Sequence, residues 1–154
     1  FYLKYVSGKN VVDTNFWTNN QQSQSVVSWR GIAFEDLCIR HMSQIKSALG
    51  ISGVITSQSN WIVPGNEDEP GMQIDLLINR NDNVVNMCEM KFYNEDFAVS
   101  GEYYKKIASR VNKIHEELPK KYAVHSTLIT TYGLAYNEYS GAFQQVITLE
   151  NLFS

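Results

Sequence analysis

VVNMCEMKF, residues 84–92, carries a glutamate and a lysine two positions apart inside an otherwise apolar run. Side chains alternate faces along a strand, so Val85, Met87, Glu89 and Lys91 share one face while Val84, Cys88, Met90 and Phe92 take the other. Both faces are apolar at most positions, which is the pattern of a strand covered on both sides of a sheet. Burying an unsolvated charge costs several kcal/mol. Glu89 and Lys91 therefore need either partners or a task.

The neighbours supply the context. MQIDLLINR, residues 72–80, reads as a strand with Met72, Ile74, Leu76 and Ile78 on one face and Gln73, Asp75, Leu77 and Asn79 on the other. Asn81-Asp82-Asn83 is a short turn signal, so the two strands are expected to form an antiparallel hairpin. ISGVITSQSNWIV (51–63) reads as a preceding strand, closed by the turn-rich PGNEDEPG (64–71). Upstream, Ser28 and Gly50 are the expected cap and stop of a helix whose one face holds Phe34, Leu37, Cys38, His41, Ile45, Ala48 and Leu49, with Glu35 on its border. A second helix is expected from about Gly101 to Leu118, ended by Pro119. HSTLITTY and QQVITL read as two further strands, and LENLF as a terminal turn. The expected class is α/β, a mixed sheet flanked by helices in the order α-β-β-β-α-β-β, with no repeat, low-complexity tract or second domain.

The bulk numbers agree with one globular unit: 154 residues, 44% hydrophobic and 12% aromatic. No apolar run approaches the ~20 residues of a membrane span, so no membrane partner is expected. Cys38 and Cys88 lack the spacing of a zinc site or a disulfide framework, which points to a reducing, cytoplasmic setting. The net charge of −3 argues against non-specific coating of nucleic acid but leaves room for a local basic surface. The chain opens on Phe1 inside the phrase FYLKYV and is expected to be cut from a longer protein, with residues 1–27 an extended lead-in from an upstream domain.

The hairpin is expected to bring Asp75 beside Glu89 and Lys91. Two carboxylates next to a lysine suit a hard divalent ion, which takes oxygen ligands and retains waters. Such an ion acidifies bound water and neutralises charge on a phosphoryl oxygen. A lysine there can orient the attacking water or oppose the growing negative charge. The plainer readings are a strand-end ion pair for Glu89 and Lys91, a solvated Asp75 and a helix-surface Glu35. On the second helix, Lys106, Arg110 and Lys113 form a basic stripe with Lys105 beside it. The stripe reads first as a solvated face with local pairing, and second as a holder of nucleic-acid phosphates. His41, His115 and His125 have no ligand spacing and are expected to be structural, as are Tyr103, Tyr104, Trp29, Trp61 and Phe143.

Asp75 followed by Glu89-Met90-Lys91 resembles the D…ExK core of the PD-(D/E)XK, or restriction-endonuclease-like, superfamily, and the element order is similar too. More of the chain, through FYLKYV, WRGIAFEDLC, QIDLLI, CEMKF, TLITTYGL and VITLENLF, resembles the C-terminal region of prokaryotic AAA+-type ATPases that carry such a domain. The resemblance implies that residues 28–154 are a nuclease-like domain with Glu35, Asp75, Glu89 and Lys91 as site positions. It implies Mg2+ or Mn2+ held by Asp75, Glu89 and the Met90 carbonyl, and DNA, with RNA as an alternative, as substrate. It also implies an upstream ATPase domain in cis. No GxxxxGKS or GxxxxGKT stretch occurs here, so ATP is not expected to bind by that route. Gln73 departs from the acidic residue expected of many relatives and lowers the negative potential near the ion. The rival expectation is an inactive module that keeps the fold to bind DNA or regulate the ATPase. A further alternative is an enzyme acting on another phosphate ester. FYLKYV and VITLENLF are candidate contacts with the upstream half or with another copy of the chain.

Overall fold

The computed structural model describes residues 21–154. FYLKYV lies outside them. The first helix, α1 (Gln24–Arg40), is capped by Ser23, whose Oγ accepts from the Val26 N–H at 3.4 Å. It thus begins before Ser28, the expected cap. Of the stretch that reads as loop by polarity, only Gln24 and Ser25 wind into the first turn, ahead of buried Val26. The helix does not run on to Gly50. It breaks at His41 (φ −105°, ψ 33°), whose N–H donates to both Leu37 and Cys38 carbonyls. A shorter α2 (Met42–Ala48) follows, and Gly50, at φ +70°, ends it as the left-handed residue that glycine tolerates best. Phe34, Cys38 and Ile45 are the buried members of the expected face, with Leu37 and Leu49 packed around them.

Three strands follow: β1 (Thr56–Val63), β2 (Met72–Arg80) and β3 (Val84–Lys91). β2 and β3 form the expected hairpin, with pairs from Leu76–Cys88 to Asn79–Val85. Asn83 closes the turn at φ 63°. Asparagine is among the few side chains that tolerate that region. Arg80 clasps the turn by donating to Asp82 from Nε at 2.9 Å.

Between β1 and β2 the register shifts: Ser59 pairs with Leu77, but Trp61 pairs with Ile74. Asp75 and Leu76 thus stand together opposite Asn60, a β-bulge. The extra residue inverts the alternation. Ile74 packs with Leu77 in one core, and Leu76 and Ile78 pack in the other. The expected grouping of Ile74 with Leu76 and Ile78 is corrected accordingly.

α3 (Gly101–Glu117), capped by Ser100, carries the chain from β3 to β4 (Ala123–Thr130), which lies parallel to β3. A 3-10 turn (Ser140–Ala142) leads to β5 (Gln145–Thr148), parallel to β4, and a short α4 (Leu149–Phe153) ends the chain. The strand order is β1-β2-β3-β4-β5. The sheet is therefore mixed and flanked by helices, as expected, with α2 and α4 added to the expected order. One core joins Val85 and Met87 to Ile107 and Ile114 of α3, and the other joins Cys88 and Met90 to Phe34 and Cys38 of α1. The central strand is buried from Val85 through Met90, in accord with the reading of a strand covered on both faces.

Asn86, fully buried on β3, stitches the sheet laterally. Its Nδ2 donates to Thr127 Oγ1 at 3.0 Å and Gln145 Oε1 at 2.7 Å, and its Oδ1 accepts from Arg80 at 3.3 Å. Asn86→Ala would remove all three bonds, leaving Thr127 and Gln145 only each other at 3.4 Å and Arg80 only Asp82, at a cost of about 1–3 kcal/mol. Urea denaturation of the variant is expected to show a lower midpoint with an unchanged slope.

Candidate functional site

Asp75 sits in the bulge of β2, exposed, and Gln73 Nε2 donates to its Oδ1 at 2.7 Å. The β2–β3 ladder stops at Leu76–Cys88, one position short of Asp75 and Glu89. Lys91 ends β3 and is half-buried, and its Nζ lies 5.6 Å from the centre of the Tyr103 ring. Glu35 comes from α1. Burial, and then the negative charge of Asp75, push its carboxyl above its ordinary value of 4.5, and Lys91 acts in the opposite sense. Glu35 is thus within electrostatic reach of both Asp75 and Lys91.

Glu89 is placed differently. Only 7% exposed, it turns toward α3. The Arg110 guanidinium donates to its Oε1, and the Tyr103 hydroxyl donates to its Oε2 at 2.8 Å. Burial and the Glu89 charge push the Tyr103 phenol far up, so it stays a donor. Arg110 is accordingly an inward residue with a partner on β3, where the sequence suggested local pairing or a free place in the basic stripe. The signal was present: Tyr103, Ile107, Arg110 and Ile114 recur at helical spacing, and the two isoleucines of that row are buried.

Lys105, Lys106, Arg110 and Lys113 nevertheless line a single open cleft of about 820 Å³ between α3 and the 64–71 connection. The opposite wall carries Glu69, whose carboxylate lies 3.4 Å from the Lys113 ammonium. That wall has a defined shape. Asn66 Oδ1 accepts from the N–H groups of Asp68 and Glu69 at 2.9 and 2.7 Å. Gly65 and Gly71 meet backbone to backbone, and a Cβ on Gly65 would fall 2.6 Å from Gly71 N.

The remaining candidates for chemistry drop away. Cys38 and Cys88 are buried, free thiols; burial raises the Cys38 thiol to about 12 and pushes Cys88 up as well, which keeps them unreactive. His41 rests its Nδ1 2.8 Å from the Leu37 carbonyl and its ring against Phe153, a structural role. Among the described residues, no three His, Cys, Asp or Glu side chains converge as a metal cage. An ion that keeps most of its waters needs only one or two carboxylates. Asp75 and Glu89, on neighbouring strands, would offer oxygen alone, the donor type that Mg2+ or Mn2+ takes, although both Glu89 oxygens already accept from Arg110 and Tyr103.

No protein-family model matches the chain, and no curated protein is similar to it. A crystal structure of a protein of unknown function, AF1548, superposes with a TM-score of 0.49 at 18% identity, covering 77% of this chain and 64% of that one. The chain spans just under two thirds of that protein's length. Among the described residues no helix is long and apolar enough to cross a membrane.

Two tests follow from this geometry. Arg110→Ala strands a buried carboxylate and is expected to cost about 3–5 kcal/mol. Adding Glu89→Leu should recover much of that loss in a double-mutant cycle of urea midpoints. For Glu35, a carboxyl that holds its proton more tightly in the folded chain than in the unfolded one loses stability as pH rises past 4.5. Glu35→Gln is therefore expected to melt above the wild type at pH 7, and the two curves should converge below 4.5.

Proposed function

We propose that the chain is a metal-dependent phosphodiesterase domain that acts on nucleic acid, DNA in the first instance, and works in cis with an ATPase. The observation that carries this reading is the delivery of Asp75 and Glu89-Met90-Lys91 by adjoining antiparallel strands, with Glu35 coupled electrostatically to Asp75 and Lys91. It agrees with the D…ExK resemblance in both spacing and element order.

Asp75, Glu89 and the Met90 carbonyl would hold Mg2+ or Mn2+, which when bound supplies a more acidic water and neutralises phosphoryl charge. The chain's own groups do the rest. Arg110 and Tyr103 fix the Glu89 carboxylate by donating to both of its oxygens. The Lys91 ammonium, lodged against the Tyr103 ring, orients water or opposes the charge that grows on the phosphate. Glu35, with its raised proton affinity, is suited to exchange a proton with water at the same place. Lys105, Lys106 and Lys113 line the approach and attract phosphates through the cleft.

A second reading is favoured by one contact. Arg110 already neutralises Glu89, and a cation must share that carboxylate with a guanidinium. The corresponding function is a module that binds nucleic acid, or regulates its ATPase, without cutting. Calorimetric titration of Mn2+ into wild type, Asp75→Ala and Glu89→Gln, paired with cleavage of labelled DNA, separates the two. The hydrolytic reading expects a binding isotherm that Asp75→Ala abolishes, and about a 100-fold or greater loss of cleavage in Lys91→Ala with the isotherm retained. Absence of both heat and cleavage with either ion would leave only the non-catalytic module.

A further inference from the structure

The two residues that follow Lys91 hold their rings out to solvent at the strand end: Phe92 is 36% exposed and Tyr93 46%. They take opposite sides of the sheet. Phe92 meets Phe34 edge-on at 5.9 Å between centroids, and Phe34 precedes Glu35 in α1. Tyr93 meets Phe97 at 5.0 Å, and Phe97 in turn meets Tyr103, the partner of Glu89, at 5.5 Å. The candidate site is thus bracketed by two accessible rings, one on the Glu35 side and one on the Glu89 side.

The segment that bears them is anchored. Tyr93 N–H donates to Thr131 Oγ1 at 3.0 Å, Phe97 N–H to the Gly133 carbonyl at 2.8 Å, and Ala135 N–H to the Phe97 carbonyl at 2.9 Å. Rings presented on fixed backbone give up little freedom when a flat ligand settles on them. The surrounding charge identifies that ligand. Lys91 and the basic side of α3 attract phosphates, while Glu95 and Asp96, exposed beyond Tyr93, repel them. The backbone of a strand is thereby drawn to the α3 side, where Tyr93 is the ring at hand, and Phe92 offers its face from across the strand end.

Resting on the nucleic-acid reading of this same site, we infer that Phe92 and Tyr93 stack against unpaired bases, so that the substrate is a single strand or an unpaired segment rather than an intact duplex. A base inside a duplex has both faces covered by its neighbours, and uncovering them requires unpairing and unstacking it. An unpaired base has a free face, and its stacking on an aromatic side chain is favourable without regard to sequence.

The test is fluorescence anisotropy in EDTA with a labelled single strand of roughly twelve nucleotides and its blunt duplex. Wild type is expected to prefer the single strand. Phe92→Leu and Tyr93→Leu, which keep bulk but lose the flat face, should each weaken single-strand binding about tenfold with little change on duplex. Tyr93→Phe should retain wild-type affinity. The paired change of Lys105 and Lys106 to alanine should weaken both ligands alike. Equal affinity for the two ligands, or leucine variants that bind the single strand as wild type does, would overturn stacking while the nucleic-acid reading stands. Leucine variants that change self-association in gel filtration instead of oligonucleotide affinity would make the rings a protein contact. If wild type binds neither ligand, the nucleic-acid reading itself falls.

Discussion

A carboxylate buried on the central strand is tolerated only because α3 presents a guanidinium and a phenol to its two oxygens. Leaving Glu89 unpaired there would cost several kcal/mol, against a total stability of about 5–15 kcal/mol for an ordinary domain. Arg110 and Tyr103 lie two helical turns apart on α3, so meeting both fixes the azimuth of the helix as well as its height over β3. With α3 so placed, the crossover returns parallel to β3, and the helix turns its lysines toward the 64–71 connection. The candidate site and the cleft beside it are thus both set by one ionic contact under the sheet.

The site has two electrical halves. Glu35 feels the charges of exposed Asp75 and half-buried Lys91 through space, while Glu89 belongs to the interior and answers to α3. The alternation of β3 places Glu89 and Lys91 on the same face, with Tyr103 beside both. Tyr103 therefore mediates between the halves: its hydroxyl serves the carboxylate and its ring serves the ammonium.

Much of this was legible in the residues. The Asn81-Asp82-Asn83 turn announces the hairpin, the two apolar faces of VVNMCEMKF announce a covered strand, and Gly50 and Pro119 mark real helix ends. Other features were hidden for physical reasons. The bulge at Asp75–Leu76 arises from pairing with β1, a tertiary event without a local residue signature, and it reverses which face Ile74 takes. Helix α1 opens on Gln24 and Ser25, and only Val26 of its first residues is buried, so hydrophobic periodicity did not locate its start. Arg110 looks like a surface cation by type and belongs to the inner row by position. Its partner, about 70 Å away on a fully extended chain of this separation, becomes a neighbour only after folding.

The meeting of Gly65 with Gly71 has a mechanical consequence. Two backbones pressed together without side chains make a waist in the β1–β2 hairpin, and beyond it Asn66 folds the acidic tip onto itself by its own bonds. Exposed loop tips tolerate changes of length and composition, and here the change would fall beyond the waist, outside the paired strands. The molecule therefore has one segment, beside its cationic cleft, whose size and charge can be altered independently of the sheet's register.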